Sequence, residues 1–208
     1  IEGTVCITAS DIFSLYVLPP VLRHLRELAP LLHIDVVASN EIRDLQLREA
    51  DIAVRHVRPE QPDLVARLLR DTKAYFYASS SYLDRRGRPA SLEDLVTHDF
   101  VSFGAVDRMI GYMKDYGLPL TRENFRVSSE NGIFAWELVR QGFGITPMSE
   151  LVGNKTAEVE RLLPDMEPFD VPIWLTTHRE LNSSRRIRLV FDTLADHLSG
   201  ETLTIPPT

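Results

Sequence analysis

One recurring unit, a buried strand that ends in a polar turn and feeds a helix, constrains this chain more than any other feature of its sequence. The first copy opens the chain: Thr4-Val5-Cys6-Ile7-Thr8-Ala9 reads as the strand and Ser10-Asp11 as the turn. Leu18, Val21, Leu22, Leu25 and Leu28 follow at spacings of three and four, the stripe of a helix that packs back on the strand. Pro19 and Pro20 then belong in the first helical turn, where a missing N–H costs little. A strand that delivers the chain to a helix in this way aims free backbone N–H groups at the sheet edge where open α/β folds bind ligands. Ser10 and Asp11 are therefore either ligand contacts or plain helix caps.

The unit returns. Residues 33–38 form a second strand, and Ser39-Asn40-Glu41 places Asn40 where Asp11 sits one unit earlier. Ile42, Leu45 and Leu47 suggest a short helix, and residues 51–55 a third, buried strand that ends on Arg55. This alternation predicts a parallel, doubly wound sheet. Residues 61–70 read as a loop, and residues 74–78 as an aromatic strand that crosses into a second lobe. Residues 79–99 carry turn signals and a short helix around Leu92, Leu95 and Val96, and residues 100–104 and 125–128 read as strands. Ser129-Glu130-Asn131 repeats the polar turn before a helix over 132–141, which Gly142 and Gly144 stop; residues 145–148 give one more strand. Residues 150–167 look like a polar connection, and residues 171–176 are extended, with Pro172 limiting them to an edge or a strand start. The last helix, 185–198, buries Ile187, Val190, Phe191, Leu194 and Leu198 and is capped by Ser183 or Ser184; residues 200–208 read as a disordered tail.

Composition removes several function classes. A chain of 208 residues with 44% hydrophobic and 25% charged residues has enough apolar surface for one large or two small domains. No apolar run approaches the roughly 18 residues of a membrane span. A net charge of −7 argues against gripping a polyanion unaided. The single cysteine, Cys6, excludes an internal disulfide and a thiolate zinc cluster and favours a reducing, cytoplasmic setting. The six histidines form no pair at metal-ligand spacing, so neither metal nor other cofactor is expected. There is no nucleophile elbow, phosphate loop or zinc-protease helix, and Glu130 beside Asn131 has no nucleophile to serve, so no catalytic activity is expected. The chain opens directly on a strand, without Met or signal segment, which reads as the cut end of something longer.

Taken in order, the landmarks resemble the effector-binding domain of LysR-type transcriptional regulators. They are Gly3-Thr4-Val5-Cys6-Ile7, Leu18-Pro19-Pro20-Val21-Leu22, and Arg48-Glu49-Ala50-Asp51-Ile52-Ala53-Val54-Arg55. Tyr77-Ala78-Ser79-Ser80-Ser81-Tyr82-Leu83, Gly87-Arg88-Pro89 and Leu92-Glu93-Asp94-Leu95-Val96-Thr97-His98 follow, and then Val139 through Met148 with its Gln-Gly-Phe-Gly core. The resemblance implies an α/β fold like type 2 periplasmic binding proteins: two Rossmann-like lobes, a hinge of two crossing strands, and a ligand between the lobes. On that pattern residues 1–76 and 176–208 make the first lobe and 77–175 the second, and a winged helix-turn-helix, absent here, would contact DNA. The ligand would meet Ser10, Asp11, Asn40, Arg55 and His56 on one side, and Ser102, Phe103, Ser129, Asn131, Thr146 and Pro147 on the other. Arg55 is either a ligand contact or tied to a structural partner. The acid at Asp11 departs from the family pattern and counts against a simple carboxylate held by the helix N-terminus, with an effector bearing an amine or several hydroxyls as the alternative. A homodimer or homotetramer is expected, built on the helices with surplus apolar surface, Val17 to Leu28 and the one carrying Ile133, Phe134 and Trp136. The rival reading is a transporter's solute-binding protein of the same fold.

Overall fold

The computed structural model describes residues 1–40 and 50–199. The short helix expected around Ile42, Leu45 and Leu47 and the tail 200–208 lie outside the described residues. The chain divides into two compact units, Ile1–Thr72 with Val171–Thr208, and Lys73–Asp170. It passes between them inside two strands, β4 (Leu64–Ser79) and β7 (Phe169–His178). The boundaries read from the sequence, 76/77 and 175/176, lie within the same two strands.

In the first unit β1 (Gly3–Ala9) runs parallel to both β2 (Leu32–Ala38) and β3 (Ile52–Arg55), and β3 pairs antiparallel with β7. The strand order is β2-β1-β3-β7-β4. Val5, Ile7 and Ala9 are fully buried, as the alternation of a half-covered strand requires. The helical stretch after β1 is two helices, α1 (Asp11–Tyr16) and α2 (Leu18–Leu28), which meet at Val17. Pro19 and Pro20 cannot donate to the carbonyls of Leu15 and Tyr16, so the helix breaks just ahead of them. α2 buries Leu18, Val21 and Leu25, but Leu28, expected on the same stripe, is 52% exposed. Pro172 is on neither edge: β7 lies between β3 and β4, and its ladder with β3 begins only at Trp174, so the missing N–H costs no bond to β3. The final helix, labelled α7 below, covers Arg185–Ser199 and buries Ile187, Val190, Phe191, Leu194 and Leu198.

The second unit departs further from expectation. Ahead of it, still in the first unit, residues 64–70, read as a loop, are the first half of the single strand β4, where Ala66, Arg67 and Leu68 are exposed in succession and leave no clean alternation. α3 (Ser80–Arg86) is capped by Ser79, and α4 (Val106–Asp115) was not foreseen. Residues 100–104 and 125–128 are not strands: they make only the isolated bridges Phe100 to Ile145 and Phe103 to Ser129. The 100–104 segment hands its backbone bonds in turn to Asn124, Ile145 and Ser129, so no ladder forms. α5 (Gly132–Arg140) is capped by Asn131, and β5 (Thr146–Ser149) pairs antiparallel with β4. The supposed polar connection after it contains α6 (Glu150–Gly153) and β6 (Val159–Arg161), which also pairs with β4. Two glycines allow this packing. A Cβ on Gly144 would stand 2.5 Å from the Asp99 carbonyl oxygen, and one on Gly153 would stand 2.2 Å from the ring of the buried Tyr77.

Candidate functional site

In the first unit the carboxyl ends of β1, β2 and β3 gather five of the expected residues. Ser10 caps α1, its Oγ accepting from the Phe13 N–H at 3.3 Å. Asp11 is 6% exposed, and its carboxylate accepts from the N–H of Ile12 at 2.7 Å. Its own N–H donates to Asn40 Oδ1 at 3.3 Å, which ties the end of β2 to the first peptide of α1. Ser10 therefore caps the helix, and Asn40 and Asp11, read from the sequence only as equivalent positions of the repeated turn, are also bonded to each other.

Arg55, at the end of β3, reaches across to β1. Its Nη2 donates to Thr8 Oγ1 at 2.8 Å and its Nη1 to the Val54 carbonyl at 3.2 Å. Thr8 is fully buried, so this charged bond is partly withdrawn from water. His56 lies 3.1 Å from the Pro172 carbonyl through Nδ1, which must carry the proton to donate there, leaving Nε2 as an acceptor. Burial pushes its pKa below the usual histidine value, and the Arg55 charge adds to the effect against the opposing bond to Pro172. The ring is neutral at pH 7 and meets Phe13 edge-on at 6.0 Å. Thr8 and Phe13 are members of this set that the sequence reading missed. Thr8 precedes the turn on the strand's polar alternation, which was the available signal; Phe13 carried none.

In the second unit the structure brings together four residues and leaves two apart. Phe103 bridges Ser129, whose Oγ accepts from the Asn131 N–H at 3.1 Å; Asn131 Oδ1 in turn accepts from Phe134 at 2.8 Å. Ser102 is fully buried and donates to the Gly104 carbonyl at 3.1 Å. Phe103 and Phe134 are 41% and 55% exposed. Thr146 and Pro147 sit inside β5: the Thr146 hydroxyl, 1% exposed, donates to the Val101 carbonyl at 2.8 Å, and Pro147 is buried opposite Phe76. Among the described residues no cluster of His, Cys, Asp or Glu is placed to hold a metal ion. Nor, among them, is any helix long and apolar enough to cross a membrane.

Comparison with known proteins adds a second line. The model of the LysR substrate binding domain matches residues 1–199. The HTH-type transcriptional regulator CrgA of Neisseria meningitidis serogroup B is 27% identical over 212 residues, 96% of this chain and 68% of that protein. An uncharacterized HTH-type transcriptional regulator of Haemophilus influenzae is 24% identical over 165 residues, 78% of this chain and 57% of the relative. The chain thus spans between about half and two thirds of these relatives' length. Among solved structures, the CrgA regulatory domain superposes with a TM-score of 0.83 at 22% identity, over 95% of this chain and 100% of that one. Full-length AphB of Vibrio cholerae gives 0.77 at 18%, over 95% and 69%. These likenesses establish the fold, the type 2 periplasmic-binding-protein arrangement.

Proposed function

Because the chain belongs to the LysR substrate-binding-domain family, the effector-binding regulatory part of LysR-type transcriptional regulators, we propose that it binds a small-molecule effector and reports its presence to a DNA-binding helix-turn-helix carried by another segment. The observation that carries this reading is the gathering of Ser10, Asp11, Asn40, Arg55 and His56 at three adjacent strand ends, with a buried carboxylate, a guanidinium and a neutral imidazole acceptor. Ser102, Phe103, Ser129 and Asn131 form the corresponding set of the second unit. A carboxylate and an imidazole acceptor call for N–H or O–H donors, so the effector carries an amine or several hydroxyls.

Association into a homodimer or homotetramer belongs to the same proposal. Leu28 on α2, at 52% exposure, and Ile133 and Phe134 on α5, at 36% and 55%, leave apolar surface that an isologous contact would cover; Trp136, at 1%, belongs to the core instead. Sedimentation showing only monomer at tens of micromolar would remove this part.

The effector reading is tested by thermal shift of this chain against panels of amines, polyols and carboxylates, since a ligand of the folded state raises the melting temperature with its concentration. Compounds from the first two panels should stabilise the chain, and Asn40→Ala and Arg55→Ala should each weaken that response. A screen in which only carboxylates act, or in which both variants respond like the parent, defeats the assignment.

A further inference from the structure

We propose that the second unit carries a separate pocket for a single-ring aromatic molecule bearing a cationic substituent. The pocket has a volume of about 120 Å³, lies wholly within Lys73–Asp170, and uses none of the residues assigned above to the effector. Phe76 and Leu118, each 1% exposed, form its floor. The Phe169 ring stands edge-on to Phe76 at 5.1 Å and to Tyr116 at 4.5 Å, so the lining presents ring faces and edges in fixed orientation. Met166 and the exposed Glu167 complete the solvent side.

Size and chemistry select the occupant. An apolar cavity of roughly 150 Å³ encloses benzene, so one of about 120 Å³ that is open on one side holds most of a single ring and excludes a fused pair. Aromatic walls favour an aromatic guest, which gains edge-to-face contacts that an aliphatic one of equal volume lacks. Met166 supplies a flexible, polarizable side chain that closes around such a ring. Glu167 is the carboxylate of the lining, and from the solvent side it attracts an ammonium held on a short arm while repelling a carboxylate there.

Benzylamine is the probe, and the chain labelled at its methionine methyl groups is the reporter. The four methionines provide one methyl at the pocket, Met166, and three controls, Met109, Met113 and Met148. Benzylamine should shift the Met166 resonance alone, saturating at about millimolar concentration as a ligand of this size allows. Toluene should shift it too, and benzoate should do so more weakly than either. Glu167→Gln should weaken benzylamine about two- to fivefold and leave toluene unchanged, the range of an exposed ion pair. Leu92→Trp, which fills the pocket from its remaining side, should abolish both responses while the three control methyls keep their positions. The proposal is overturned if Met166 does not respond, if all four methyls respond alike, or if the response survives Leu92→Trp. A toluene response with no preference for benzylamine over benzoate overturns the cationic part. None of these outcomes bears on the effector reading, because the pocket shares no residue with it.

Discussion

Replacing Arg55 by Ala, alone and together with Thr8→Val, measures whether the guanidinium is held by the protein or kept for a ligand. The Nη2 to Thr8 Oγ1 bond is 2.8 Å long and ends on a hydroxyl with no solvent exposure, whereas the bond to the Val54 carbonyl, at 3.2 Å, is weaker. Hydrogen bonds to charged groups contribute about 1.5–3 kcal/mol. Arg55 is half-exposed, so screening reduces the expected loss to about 1–2 kcal/mol. For a chain of this length that is a fall of about 2–8 °C in melting temperature. Thr8→Val keeps the shape of the side chain and removes the acceptor, so the double variant should lose less than the sum of the singles by about 1 kcal/mol. Urea unfolding in a Trp136→Phe background, followed through Trp174, the register partner of Arg55 in the β3–β7 ladder, reads the first unit. Effects that add within about 0.3 kcal/mol would refute the argument that the Thr8 bond holds the guanidinium.

Asn131→Ala removes the cap of α5 and should cost about 1 kcal/mol, whereas Asn131→Asp should retain most of it, by thermal unfolding. Gly153→Ala drives a methyl into the Tyr77 ring, which is pinned by its hydroxyl donating to Asn154 at 2.7 Å; a loss of about 2 kcal/mol or more is expected, and an unchanged urea midpoint would refute the packing. Burial lowers the pKa of both His56 and His98, so each stays neutral in the folded chain while the unfolded chain takes up protons near pH 6.5. Stability is then complete above about pH 6.5 and falls as pH drops through that value toward the lowered folded pKa values, by at most about 1.4 kcal/mol per pH unit per histidine. Urea midpoints from pH 7.5 to 5 check this, and replacing each histidine by Asn should flatten the slope.

What was legible in the sequence follows from which forces leave a local mark. β1, α5 and α7 carry clear apolar periodicity, α5 with Asn131 capping it, and their extents match the reading within a residue or two. α4 was invisible because Ala105 offers no side-chain cap, Gly111 weakens its interior, and of its ten residues only Met109 and Met113 are buried. Residues 100–104 have the composition of a strand, but strand identity requires a continuous partner, and that is a tertiary property. The same limit applied to the site. Ser10 and Asn131 were legible as caps, because a hydroxyl or amide side chain directly ahead of helical apolar periodicity marks a helix start. Thr146 is a different case: its hydroxyl is committed to the Val101 carbonyl, 45 positions away, and no local pattern announces that.

The bond between Asp11 N–H and Asn40 Oδ1 sets the terms on which any ligand enters the first unit. Ser10, Asp11, Asn40 and Arg55 already have partners within the protein, so an effector reaching them as proposed would trade bonds there, whereas the His56 Nε2 acceptor would take a donor directly. Its affinity is the difference between two nearly matched sets of hydrogen bonds. On the proposed reading such a site would bind modestly but discriminate sharply, because an analogue lacking one donor would still break the internal bond and put nothing in its place. The same exchange would free the first peptide of α1 whenever Asn40 changed partner, so recognition proposed at the end of β2 would be felt at the start of a helix that follows β1.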